Sequence, residues 1–168
     1  MSSRQTPDKP SSVDLTVFEL TDVRPATTAD IYAIYKLNCA SFIESWSVMA
    51  LGMWQERGDD LDVCYDKDGN LAAYYLGQDV LDEVHIMQLA VAPQFQRQGL
   101  GSRMMRYEIE RKRTAGMKKI LLEVRASNRA AQKLYTSLGF KNDGCRESYY
   151  ASVDGLPPED ALLMSFEL

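Results

Sequence analysis

Along this chain apolar residues recur every third or fourth position in four stretches, and every second position or continuously in seven others. The first period predicts helices and the second strands. Leu15 to Arg24 reads as a strand ended by Pro25. Thr27 or Thr28 then caps a helix with Asp30 in its first turn and Ile31, Ile34 and Leu37 as its inner stripe. Phe42-Ile43-Glu44-Ser45-Trp46-Ser47 interrupts it, and a second helix starts near Ser47 with Val48, Leu51 and Trp54. Leu61 to Tyr65 and Leu71 to Gln78 are strands around the hairpin turn Asp66-Lys67-Asp68-Gly69-Asn70. Val80 to Glu83 leads into a further strand that ends at Val91, before Pro93. A polar, glycine-containing turn and a helix to about Thr114 follow, stopped by Gly116. Lys119 to Arg125 is a short apolar strand. Ser127 or Asn128 caps a last helix, buried through Ala130, Ala131, Leu134, Tyr135 and Leu138 and ended by Gly139. Strands over about Phe140 to Tyr150 and Ala161 to Glu167 flank the turn Asp154 to Pro158. This order predicts an α/β fold, a mixed sheet in one layered domain over residues 15–168. Residues 1–14, rich in Ser, Pro and charge, are expected to be a flexible tail.

Composition narrows the classes of function. The 168 residues are 45% hydrophobic and 26% charged, as in ordinary globular domains. A net charge of −5 and a pI near 4.9 argue against nonspecific nucleic-acid binding, which needs a basic face. Cys39, Cys64 and Cys145 are widely spaced and form no CxxC, and there is a single histidine, so no zinc site is expected and the thiols read as reduced and cytoplasmic. No apolar run approaches the ~20 residues of a membrane span, and the polar N-terminus does not read as a signal peptide.

Candidate chemistry gathers behind the strand ending Leu89-Ala90-Val91. The turn there contains Gln96-Arg97-Gln98-Gly99-Leu100-Gly101-Ser102 and opens a helix. Unpaired N–H groups and the dipole at a helix start, two glycines, and Arg97 and Arg103 make an anion cradle, suited to a pyrophosphate. An ordinary strand–turn–helix connection is the rival reading. There is no Gly-Lys-Ser/Thr, and Met104 stands where a dinucleotide fingerprint has its third glycine. Glu123, inside an apolar strand, must be paired, solvated by a cleft or shifted upward in pKa; it is either a general base or an acid bonded to a neighbour such as Arg125. Tyr135 is a core residue or a proton donor. Asn128 is a helix cap first and a ligand contact second. His85 shares a strand face with Met87, Leu89 and Val91, so a buried histidine is expected ahead of a second candidate base. Tyr149 and Tyr150, neighbours in a strand, are expected on opposite faces, one packing and one lining a groove. Trp46 and Phe42 pack in the core or line a peptide groove.

The run Gln96-x-x-Gly99-x-Gly101 resembles the acetyl-CoA signature of GNAT acetyltransferases. Val80 to Glu83, Leu89-Ala90-Val91, Leu122-Glu123-Val124-Arg125-Ala126-Ser127-Asn128, Leu134-Tyr135-x-x-Leu138-Gly139-Phe140, and a tail with Tyr149-Tyr150, Asp154-Gly155 and Met164 resemble the RimI family within that superfamily. These are bacterial N-terminal alanine acetyltransferases of ribosomal protein eighteen of the small subunit. The resemblance implies a GNAT fold with splayed central strands and acetyl-CoA as co-substrate, with no metal. It implies that Leu89, Ala90 and Val91 hold the pantetheine and acetyl group, and that Arg97, Gln98, Gly99, Leu100, Gly101 and Ser102 hold the pyrophosphate. Asn128 matches a CoA-contacting asparagine, Glu123 the general base and Tyr135 the general acid. The position of His85 is catalytic in some relatives. Trp46, Tyr149 and Tyr150 are the substrate-binding candidates, and the partner is a protein N-terminus of ribosomal type, met by a monomer or weak dimer. Ser102, the Phe42–Trp46 loop and Leu156-Pro157-Pro158 depart from the family's pattern, so substrate identity is the open point. An acetyltransferase of a small amine or lysine, and a CoA-binding sensor without turnover, are the rivals.

Overall fold

The computed structural model describes residues 21–152 and 155–168. The expected tail over residues 1–14, and residues 15–20 of the strand expected from Leu15, lie outside the described residues. What is described of that strand is β1, Arg24–Pro25, paired with Asp62 and Val63. Pro25 therefore lies within the strand instead of ending it. At a sheet edge its missing N–H costs no ladder bond on the open side. Arg24 lays its guanidinium on Asp30 with two bonds of 2.9 Å, and the same carboxylate accepts Thr27 N–H at 2.7 Å, which fixes the entry to the first helix.

The remaining elements follow the expected order. They are α1 (Ile31–Ser41), α2 (Val48–Glu56), β2 (Asp60–Tyr65), β3 (Leu71–Val80), β4 (Glu83–Val91), α3 (Leu100–Thr114), β5 (Lys119–Arg125), α4 (Arg129–Leu138), β6 (Lys141–Tyr150) and β7 (Glu159–Glu167). Ser47 caps α2 by accepting Ala50 N–H at 3.1 Å, and Asn128 caps α4 by accepting Ala131 N–H at 3.1 Å. Gly139, at φ +100°, ends α4 as the sequence predicts.

The strands form one sheet in the order β1-β2-β3-β4-β5-β7-β6. Every pair is antiparallel except β4 and β5, which run parallel because α3 crosses between them. Residues 72 to 77 of β3 are buried one after another, so helices cover both sheet faces there. Ile34, Leu51, Leu76, Met104 and Ile120 are completely or almost completely buried, each worth about 2 kcal/mol of transfer free energy. β6, by contrast, is an edge strand exposed along nearly its whole length.

Beneath α3 lies a charged cluster that the periodicity does not announce. Arg111 reaches Asp60 at 2.8 Å, Asp62 at 3.1 Å and Glu108 at 2.5 Å, while Lys112 pairs with Asp60 and with Asp79 at 2.6 Å. Glu108 and Asp62 are almost wholly buried. Among the described residues Glu108 Oε1 and Asp62 Oδ1 have no hydrogen-bond partner, and burial raises both carboxyls, so that a protonated Glu108 is a donor available to Asp62.

Candidate active site

The site begins where the two parallel strands part. Pairing of β4 with β5 runs from Glu83↔Lys119 to Ile86↔Leu122 and stops, although β4 continues to Val91 and β5 to Arg125. A bulge at Met87, where Leu76 and Gly77 of β3 face Gln88 and Ile86, turns β4 away at that point. The gap widens into a cleft of about 860 Å³. Glu123, Tyr135, His85, Leu89, Asn128, Trp46, Tyr149 and Tyr150 all line it. Eight residues singled out in the sequence thus meet in one place.

At the far end of the gap, beyond Val91, lies the glycine turn. Gln96 Nε2 donates to Val91 O at 2.9 Å and folds the turn back on the strand. Gly99 caps α3 at φ +82°, a conformation that L side chains rarely adopt, and Arg97 stands at φ +61°. A Cβ on Gly101 would meet Leu134 at 3.3 Å and Val91 at 3.7 Å, so this glycine lets α3 pack closely. The first backbone bond of the helix is Arg103 N–H to Gly99 O at 2.9 Å. Among the described residues, the N–H groups of residues 97–102 have no backbone acceptor. A row of free donors thus stands at the positive end of a fifteen-residue helix, an arrangement that could hold an anionic group. Arg97, Gln98, Gly99, Leu100, Gly101 and Ser102 form this turn beside the cleft and do not line it, and Ala90 is buried in the sheet.

Glu123 projects from the splayed part of β5 with its side chain 27% exposed. Its partner is Arg146 of β6, at 2.7 Å, and not the neighbouring Arg125. Tyr149 also bonds to Glu123, which pushes that phenol up. Arg125 instead holds Glu159 at 3.1 Å, lies 3.8 Å from Glu44, and stacks 3.9 Å over the Tyr150 ring. Tyr135 is buried, packed 5.5 Å from Phe140, and burial raises its pKa well above the ordinary phenol value, so it carries its proton at neutral pH. The Tyr150 hydroxyl is pushed up to about 12, first by burial and then by the Glu123 charge.

Two expectations are corrected. His85 is not buried: its side chain is 41% exposed and 3.8 Å from Glu83, because Val84, Ile86, Gln88 and Ala90 take the inward face of β4. Tyr149 and Tyr150 do not point to opposite faces. Between Arg146↔Ala161 and Tyr150↔Glu159 the register of β6 slips, with Ser148 at φ +51° and its N–H on Asp160 at 2.8 Å, so strand alternation fails. The two rings meet edge to face at 5.1 Å and both line the cleft.

Arg146, Met87 and Gln88 were not anticipated from the sequence as part of the site. The slip in β6 decides which of its side chains reach the cleft, and no residue pattern marks it beforehand.

A sheet that splays between two parallel strands, with a donor-lined turn at the open end and a carboxylate and a phenol along the gap, belongs to acyl-CoA-dependent N-acyltransferases. The model of the acetyltransferase (GNAT) family matches residues 31–140, and the chain belongs to that family. It is an acetyl-CoA-dependent N-acetyltransferase. It is 37% identical over 142 residues to the [ribosomal protein bS18]-alanine N-acetyltransferase of Escherichia coli K12, covering 84% of this chain and 93% of that protein. It is 32% identical over 145 residues to a putative enzyme of the same name from Bacillus subtilis, covering 84% and 92%. The crystal structure of the Escherichia coli ribosomal-protein-S18-alanine N-acetyltransferase superposes with a TM-score of 0.79 at 34% identity, over 88% of this chain and 93% of that one. Among the described residues no helix is long and apolar enough to cross a membrane.

Proposed function

We propose that this enzyme acetylates the α-amine of a protein's N-terminal residue, an alanine of ribosomal-protein type, in the cytoplasm. The observation that carries this reading is the 37% identity to the bS18-alanine N-acetyltransferase across 84% of the chain. The cleft agrees with it. Its rim residues Ile43, Tyr149, Glu44 and Arg146 are about half exposed, which leaves room for a chain end rather than an enclosed small amine.

In this reading residues 97–102 and Asn128 hold the CoA, and Leu89, Ala90 and Val91 hold the pantetheine. Acetyl-CoA supplies the acyl group as a thioester. An α-amine has a pKa of about 8 and must lose a proton before it attacks. Glu123 takes that proton directly or through a water, with His85 as the second candidate base. Strand N–H groups near Leu89 stabilise the oxyanion, and Tyr135 protonates the departing thiolate. Holding both partners in one gap supplies much of the remaining acceleration.

The test is to incubate the protein with acetyl-CoA and free-N-terminus peptides, including Ala-Arg and Met-Leu starts, and to locate the added acetyl by mass spectrometry. An α-acetyl group on the alanine peptide is expected. Acetyl only on lysine side chains or small amines would move the reading to those substrates. CoA binding with no acceptor modified would make the protein a sensor.

A further inference from the structure

The lip of the cleft, residues 42 to 46, belongs to no helix or strand, and Ile43, Glu44 and Ser45 are exposed. A segment like this needs a fastening if it is to present a fixed wall. Its anchor is at Trp46, whose N–H donates to Asn38 Oδ1 at 2.7 Å. Asn38 is wholly buried in α1. Its amide donates to Tyr74 Oη at 2.7 Å and to Gln88 Oε1 at 2.6 Å, and Tyr74 O–H closes the triangle on Gln88 at 2.9 Å. The Trp46 N–H needs an acceptor, so the amide orientation of Asn38 is fixed and both of its donors face the sheet. Gln88 is the residue after the Met87 bulge, and it lines the cleft. A buried, uncharged network thus links the exposed lip to the point where β4 leaves β5. In an apolar interior such polar groups are stable only when paired.

We infer that Asn38 is a positioning residue for the acceptor, holding the Phe42–Trp46 lip in register with the bulged strand through Gln88 and Tyr74. The inference rests on the acetyl-transfer reading of the cleft, with the acceptor entering between this lip and β6. Asn38 touches neither substrate. It acts through the Trp46 backbone on one side and Gln88 on the other. The glycine turn at the opposite end of the gap has its own fastenings, Gln96 on Val91 and Gly101 against Leu134. Loss of Asn38 therefore weakens acceptor binding and spares CoA binding.

The experiment measures steady-state kinetics with an alanine-starting peptide, and acetyl-CoA affinity by calorimetry, for Asn38→Ala and Tyr74→Phe. Asn38→Ala is expected to raise the peptide KM about tenfold or more, with kcat and the acetyl-CoA Kd within about threefold of the parent. Tyr74→Phe leaves the line from Trp46 through Asn38 to Gln88 intact and raises KM by about threefold at most. An unchanged peptide KM in folded Asn38→Ala, or equal losses in peptide KM and CoA affinity, would overturn the inference. Amide exchange of the parent enzyme keeps it testable if that variant fails to fold. Trp46 N–H should exchange about a hundredfold more slowly than Ser45 N–H, and exchange at open-loop rates would overturn the inference. A parent enzyme that leaves every peptide unmodified refutes the substrate reading; the exchange of Trp46 then decides the role of Asn38.

Discussion

Two carboxylate–guanidinium pairs of similar length occupy opposite surroundings in this molecule. Glu123 and Arg146 meet at 2.7 Å with their side chains 27% and 54% exposed. Glu108 and Arg111 meet at 2.5 Å with the Glu108 side chain 1% exposed. In the cleft, water and Tyr149 share in solvating the carboxylate, so its partner can be exchanged for another cation at small cost. Beneath α3 there is no such substitute. Burial, and then the charge of Asp62, push the Glu108 carboxyl up to about 8 in spite of Arg111. In the proposed reading the same two residue types thus serve reaction in one place and architecture in the other, and solvent access separates the two. A base must be free to take up a proton from its substrate. A buried acid locked among Asp60, Asp62 and Arg111 is not.

The largest expected effect breaks the cleft side of the comparison. Glu123→Gln should lower turnover about 10²- to 10⁴-fold, the range for losing general acid–base catalysis, while acetyl-CoA binding and thermal midpoint stay near the parent's. Steady-state kinetics with calorimetry measures both, and unchanged turnover would move the base role to His85 or to water. Next in size is Glu108→Ala. Removing this buried carboxyl leaves a cavity and takes one partner from Arg111, which should cost about 3 kcal/mol of stability, read as a lower urea midpoint, with turnover of the folded fraction unaltered. Loss of turnover without loss of stability would mean that the cluster communicates with the cleft.

The two clusters also differ in how far the sequence reveals them. Glu123 announces itself as an acid between Leu122 and Val124, and the Gln96-x-x-Gly99-x-Gly101 turn follows a strand, so these two parts of the candidate site stand out in the local pattern. The order of all eleven elements is legible for the same reason, because each carries its own period. What is not legible depends on register between distant segments. Arg146 reaches Glu123, and Tyr149 and Tyr150 share one side, only because β6 slips against β7. His85 is open because the inward set of β4 is Val84, Ile86, Gln88 and Ala90, and both alternating sets of that strand are apolar enough to read as core. Glu108 lies on a charged helix where burial is the least expected reading, and its partner Arg111 ties it to Asp60 and Asp62 of β2, about fifty residues earlier in the chain.

A third, smaller effect sharpens the comparison through pH. In the unfolded chain Glu108 loses its proton near the ordinary value of 4.5, whereas in the folded chain it keeps it to about 8. Between those values the folded state binds more protons than the unfolded one, so stability falls as pH rises. The contribution is complete below about 4.5 and gone above about 8. Asp62, also raised by burial, acts in the same direction. The groups facing the pair are Asp60 of β2, Tyr75 of β3, and Tyr107, Arg111 and Lys112 of α3, with Asp79 of β3 paired to Lys112. Glu108→Gln retains a donor for Asp62 at every pH and should flatten the slope of urea midpoint against pH between 5 and 8. An equally steep slope in that variant would assign the dependence to other groups.

The smallest effect is the most direct comparison of the two pairs. Arg146 is more than half exposed, so its 2.7 Å ion pair with Glu123 is screened by water and salt in spite of the short distance. Arg146→Gln should change stability by less than about 1 kcal/mol, a shift of no more than about 4 °C in thermal midpoint for a chain of this length. The double-mutant cycle of Glu123→Gln with Arg146→Gln isolates the pair and should give a coupling energy below about 1 kcal/mol, falling further in 0.5 M salt. The Tyr149 hydroxyl still reaches Glu123 in the single Arg146 variant, which limits the loss. A coupling of about 3 kcal/mol, insensitive to salt, would place this pair with the buried class. The carboxylate would then be held too firmly to exchange its guanidinium partner for an incoming ammonium, and the assignment of Glu123 as the base would have to be withdrawn.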